Sequence, residues 1–86
     1  MLPENDAVLQ NLQKMYATVL ELPEDVVTPD VDLEAELGLD SLQHRIVLAR
    51  AGEMWAVDTA GAESPATLTV RSVADLLQHL GSTTKG

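Results

Sequence analysis

Glu36-Leu37-Gly38-Leu39-Asp40-Ser41-Leu42 marks where an acidic, proline-punctuated segment gives way to a helical pattern. Gly38 permits a tight approach to the helix start, and Asp40 stands where an N-cap would satisfy free amides. Ser41 therefore falls in the first exposed turn of a helix. A phosphate esterified to its hydroxyl would meet oriented backbone N–H groups and the positive end of the helix dipole. The same residues also describe an ordinary Gly-Asp-Ser helix start. The surrounding chain has to decide between the two.

Downstream, residues 41–51 form a helix on which Leu42, Val47 and Ala51 are expected to face inward, with Trp55 one turn further on. Ile46 and Leu48 flank that stripe, Arg45 and Arg50 supply bases without any acid, and Gly52 weakens helical continuity near the end. Upstream, residues 21–40 hold eight acids and no base. Pro23 and Pro29 make this a long connection, and such loops are often functional. Val26, Val27, Val31, Leu33 and Leu37 are expected to pin it to the core. The first helix spans 5–20, where Val8, Leu12, Met15, Tyr16 and Val19 line one face. Asn5 or Asp6 caps its start, and Pro23 ends the segment. After a loose stretch over 56–68 with at most a helical turn, a last helix begins at Thr69 or Val70 and runs to about Leu80. Val73, Leu76, Leu77 and Leu80 give its buried face, Gly81 its stop, and 82–86 a frayed tail. The expectation is an all-α bundle of three long helices plus one short helix, a single domain over 1–86 ordered from about 5 to 81.

Composition narrows the function. The 86 residues are 45% hydrophobic, enough for one modest core, and Tyr16 and Trp55 are the only aromatics, read as core filling. Without cysteine there is no disulfide, thiolate metal site or thiol nucleophile. A formal charge of −9 repels phosphate backbones and anionic lipid heads, which argues against nucleic acid or membrane as partner. No apolar run reaches the roughly 20 residues of a membrane span, and no secretory signal is visible. The expected setting is the cytoplasm.

The Gly-Leu-Asp-Ser-Leu string at 38–42 resembles the phosphopantetheine attachment motif of the acyl carrier protein family, to which peptidyl and aminoacyl carriers are related. The resemblance extends over about residues 6–81. It takes in the opening amphipathic helix, Val31-Asp32-Leu33, Glu36-Leu37-Gly38, the Trp55-Ala56-Val57-Asp58 turn, and the closing helix from Thr69 to Leu76. It implies that Ser41 accepts 4′-phosphopantetheine from coenzyme A, and that the thiol of this arm carries acyl chains as thioesters. Asp40 would cap the helix and help a phosphopantetheinyl transferase position magnesium, and Leu42 would pack beneath the attachment point. The implied partners are that transferase and acyl-loading, condensing or acyl-transfer enzymes, served by a monomeric carrier without catalysis of its own.

The chain departs from the fatty-acid type just after the motif. Where such carriers place acids for docking, this helix reads Gln43-His44-Arg45-Ile46-Val47-Leu48-Ala49-Arg50. A face of His44, Arg45, Ile46 and Leu48 would then meet partners of a polyketide or other specialised pathway. Equally, Arg45 and Arg50 could answer the acidic loop through weak surface pairs. An aminoacyl or peptidyl carrier is an alternative within the class, and an unmodified helical interaction module is one outside it. Three rival constellations are poorer. Asp30-x-Asp32-x-Glu34 resembles an EF-hand opening, but Ala35 stands where glycine is needed and Ser41 where the closing glutamate belongs. Asp40, Ser41 and His44 contain triad residue types crowded onto one turn, with His44 read as an exposed helix residue. His79 stands alone near a helix end.

Overall fold

The computed structural model describes residues 3–59 and 65–83, with side chains described as far as residue 81. It contains three α-helices, α1 (Asn5–Leu20), α2 (Ser41–Trp55) and α3 (Val70–Thr83), with a 3₁₀ turn at Glu24–Val26. α1 packs against both α2 and α3. Its stripe of Val8, Leu12 and Tyr16 is fully buried, and meets Val47, Ala51 and Trp55 of α2 and Val70, Val73 and Leu77 of α3 in one core. The helix positions agree with the sequence reading, but several ends do not.

α1 starts at the expected residue. However, Glu4 occupies the N-cap position without a side-chain bond, so neither Asn5 nor Asp6 caps. The helix closes before Pro23 by a left-handed residue at Glu21 (φ 59°), whose N–H reaches Thr18 O while Leu22 N donates to Ala17 O at 2.9 Å. That paired bonding satisfies the last carbonyls of α1.

The connection over 21–40 is pinned to the core as expected, through four of the five anchors named from the sequence. Beyond the 3₁₀ turn it buries Val27 and Leu33 completely and Leu39 almost so, with Val31 and Leu37 packed alongside. Val26 is exposed, contrary to its expected anchoring. Backbone bonds stitch the segment down: Leu33 N to Leu68 O at 2.8 Å, Leu39 N to Leu33 O at 2.9 Å and Arg71 N to Pro29 O at 3.0 Å. Gln13 of α1 adds a side-chain bond to Val27 O at 2.7 Å. Asp32 accepts from the amides of Glu34 and Ala35, which makes it a turn-forming residue. Asp30 pairs with Arg71 through two hydrogen bonds of 2.8 and 3.2 Å, and the guanidinium holds the Asp30 carboxyl below its usual range.

α2 runs to Trp55 rather than stopping at 51, and its buried stripe is His44, Val47, Leu48, Ala51 and Trp55. Leu42 is 66% exposed, contrary to expectation. Five residues before Val47, it lies about 140° around the helix from that stripe. The helix ends at Ala56 in the left-handed conformation (φ 55°), and Val57 N donates to Gly52 O at 3.0 Å. Gly52 is there because the chain folds back onto it: a Cβ would lie 2.7 Å from Val57 O. Between α2 and α3 the expected short helix is absent among the described residues, with 60–64 lying outside them. α3 opens with a reciprocal box, Ser72 N to Thr69 Oγ1 at 3.0 Å and Thr69 N to Ser72 Oγ at 2.9 Å. It continues through Gly81 to Thr83, so Gly81 is a helical residue and not a stop. Residues 84–86 of the expected tail lie outside the described residues.

Gly52→Ala should destabilise the fold by about 1–3 kcal/mol, because a clash with backbone outweighs alanine's helix preference of about 1 kcal/mol. Chemical denaturation measures this, and an unchanged or raised midpoint would show that the 57–59 segment yields freely.

Candidate functional site

Gly38, Leu39 and Asp40 set how Ser41 is presented. Gly38 takes φ +74°, a left-handed conformation that glycine adopts without strain, and nothing lies within 4 Å of where its Cβ would be. Its role is backbone direction rather than the close approach expected. Leu39 then drops into the core at 4% exposure. Asp40 follows as the N-cap in extended backbone, accepting from Gln43 N at 2.7 Å, while Gln43 Oε1 accepts from Asp40 N at 3.0 Å. This reciprocal capping box uses the amides of residues 40 and 43. His44 N bonds to Asp40 O, which leaves the amides of Ser41 and Leu42 without a partner among the described residues.

Ser41 occupies the first helical position, exposed, and its hydroxyl makes no hydrogen bond with any described residue. A phosphodiester on that oxygen fits the two free amides and the positive helix end. Leu42, exposed beside it, cannot pack beneath the attachment point. Ser72, by contrast, is engaged: its hydroxyl accepts from Thr69 N and donates to Thr67 O at 2.8 Å.

His44 and Leu48 are corrected outright. Both are buried, at 5% and 8% exposure, so neither belongs to a surface face. They lie on the stripe that includes Ala51 and Trp55, and side chains so placed turn toward α1. His44 Nδ1 shares a 3.1 Å hydrogen bond with Tyr16 Oη, and the two rings lie parallel within 9° at a centroid distance of 6.4 Å. Burial pushes the His44 pKa down and that of the Tyr16 hydroxyl up, with Glu34 partly opposing the first shift. Asp40 is engaged with Gln43 and His44 with Tyr16, so the three triad residue types do not converge on Ser41. Gln43, missed in the sequence reading, also donates through Nε2 to Val19 O at 3.3 Å. The Asp-x-x-Gln spacing of a capping box was its available signal.

What remains outward on α2 is Leu42, Arg45, Ile46, Ala49, Arg50, Glu53 and Met54. Arg45 and Arg50 form no ion pair with any described residue, so the expected pairing with the acidic loop is not the arrangement found. Arg50, Ile46 and Val47 line a groove of about 260 Å³ against Met15, Thr18 and Val19 of α1. Among the described residues, no group of three or more histidines and acids is arranged to hold a metal ion. His79 is exposed on α3.

The model of one protein family, described as the phosphopantetheine attachment site, matches residues 10–55, more than half of the chain. The match runs from within α1 to the last residue of α2, and Ser41 lies inside it. α3 lies beyond it. Comparison with curated proteins and with solved structures gives no match.

Asp40→Ala should cost about 1 kcal/mol by freeing the Gln43 amide, whereas Asp40→Asn should cost far less because asparagine caps equally well. Urea denaturation of both variants distinguishes them. Equal losses would assign the effect to charge instead of the capping bond.

Proposed function

Because the chain belongs to the phosphopantetheine attachment site family, whose members covalently carry 4′-phosphopantetheine, we propose that Ser41 bears the arm and that the protein is an acyl carrier of a specialised, polyketide-type pathway. Carriers of this family are not enzymes. They work with phosphopantetheinyl transferases and with the biosynthetic enzymes that load and use the arm.

The observation that carries the assignment is the exposed, unengaged Ser41 hydroxyl beside two free amides at the start of α2. The Ser41 oxygen attacks the phosphate next to pantetheine in coenzyme A, the adenosine bisphosphate half leaves, and the hydroxyl proton passes to solvent or to the transferase. The arm, once attached, supplies a thiol for thioester formation. Asp40 and Gln43 hold the helix start rigid, and the Ser41 and Leu42 amides face the phosphodiester. The pathway assignment rests on α2, whose outer face offers Arg45 and Arg50 instead of acids. An aminoacyl carrier, which shares the Gly-Leu-Asp-Ser string, is the second reading, and the loaded cargo separates the two. We take the chain to act as one monomeric domain in the cytoplasm, with Arg45 and Ile46 as its docking surface.

Incubation with coenzyme A, magnesium and a promiscuous transferase should add one phosphopantetheine mass to the wild type and none to Ser41→Ala. Mass gain in that variant would refute the site. A wild type that gains no mass would favour the unmodified interaction module.

Arg45→Glu should slow transfer with the protein's own loading enzyme by about tenfold and speed transfer with an enzyme whose docking patch is basic, because rim charge steers encounter. Ile46→Ala should slow both, since it removes contact area regardless of sign. Unchanged rates for Arg45→Glu with both enzymes would reduce the basic face to solvated surface.

A further inference from the structure

We propose that the Tyr16–His44 pair is a proton-sensitive latch that fixes the Ser41-bearing turn of α2 to α1, with His44 as a positioning residue. Two side chains tie this turn to the neighbouring helix. Gln43 Nε2 donates to Val19 O at 3.3 Å, and His44 Nδ1 meets Tyr16 Oη at 3.1 Å. Only the second tie contains a group that titrates near neutral pH.

The geometry favours the neutral ring. His44 is 5% exposed and stacked on Tyr16, and its Nε2 is buried without a hydrogen-bond partner. In the neutral ring one nitrogen shares a proton with the Tyr16 hydroxyl and the other goes unpaired, whichever tautomer is present. Protonation makes both nitrogens donors. Tyr16 Oη then has to accept from Nδ1 and turn its own proton elsewhere, while a charged Nε2–H is left buried without an acceptor. The charged and titratable groups around the ring come from three elements. Tyr16 on α1 stays neutral because burial holds its hydroxyl above the usual range. Glu34 in the connection favours the cation, but desolvation outweighs it. On α2 itself, Asp40 is engaged with Gln43 one turn earlier, and Arg45 is exposed.

The sign follows. His44 in the closed latch binds its proton at lower pH than a solvated histidine, whose ordinary value is 6.5. Between those two values the open form binds more protons. The latch is therefore at full strength above about pH 6.5 and weakens as pH falls toward the closed-state value. Its bearing on arm attachment rests on the function proposed above. The latch itself does not, so its test reads helix order and not loading.

Amide hydrogen exchange on the unmodified full chain, corrected for intrinsic rates, should be followed from about pH 7.5 to about pH 5.5, the range in which histidine charges. Protection at residues 43–47 should fall relative to residues 73–77 of α3, by at most about tenfold per pH unit, the limit for one proton. His44→Gln should make that ratio independent of pH. Tyr16→Phe should lower it at neutral pH and keep the dependence. A flat ratio in the wild type, an equal fall in α3, or the same pH dependence in His44→Gln would overturn the latch. Should the glutamine variant fail to fold, the His44 ring resonances of the wild type decide. A ring titration with its midpoint below pH 6.5, with protection lost over the interval between pH 6.5 and that midpoint, supports the latch. Protection unchanged through that interval, or titration at the ordinary value, refutes it.

Discussion

With Tyr16, Trp55 and the His44 ring all buried, the rest of the core is aliphatic, and α1 has to present its side of it to two helices at once. Val8, Leu12 and Tyr16 lie on the stripe that α2 and α3 both use. The connection between α1 and α2 must therefore bring α2 back alongside α1 and also cover the remaining apolar surface. Val27, Leu33 and Leu39 do this from inside a segment that also carries eight acids and no base. Fixing these anchors fixes where the connection ends, and so where Ser41 emerges.

Charge is arranged around that constraint. The acids of residues 21–40 remain near the surface, where water screens their repulsion. One of them is answered across the fold by Arg71, whose amide is also tied to Pro29 O. An exposed pair of this kind is worth little energetically, but together with the backbone bond it marks where the connection meets α3. The bases of α2 take no part in this and face outward.

The helices and the Gly-x-Asp-Ser start were legible because both depend on local chemistry: spacing of apolar residues, a capping carboxylate and a glycine before it. What escaped the sequence reading depended on long-range packing. Leu42 follows the motif serine, and adjacency suggested support, yet helical rotation carries it outward. His44 looked like an exposed polar residue because nothing nearby indicates a partner 28 positions earlier on α1. Gly81 resembles a stop by type, but a glycine ends a helix only where the next segment turns away. Gly52 looked like a weak point, whereas the close approach of Val57 requires its missing side chain. Asp32, whose EF-hand-like spacing the sequence already discounted, is a local acceptor for its own turn.

The burial pattern of α2 has a consequence for how such a chain diverges. Residues 44, 47, 48, 51 and 55 answer to α1 and the core, whereas 42, 45, 46, 49, 50 and 53 are free of that obligation. Substitutions on the second set can accumulate at little risk to folding, so one helix carries two separately heritable traits. Gene duplication followed by drift on the outer face would yield sister proteins with the same scaffold and different clients, without passing through an unstable ancestor.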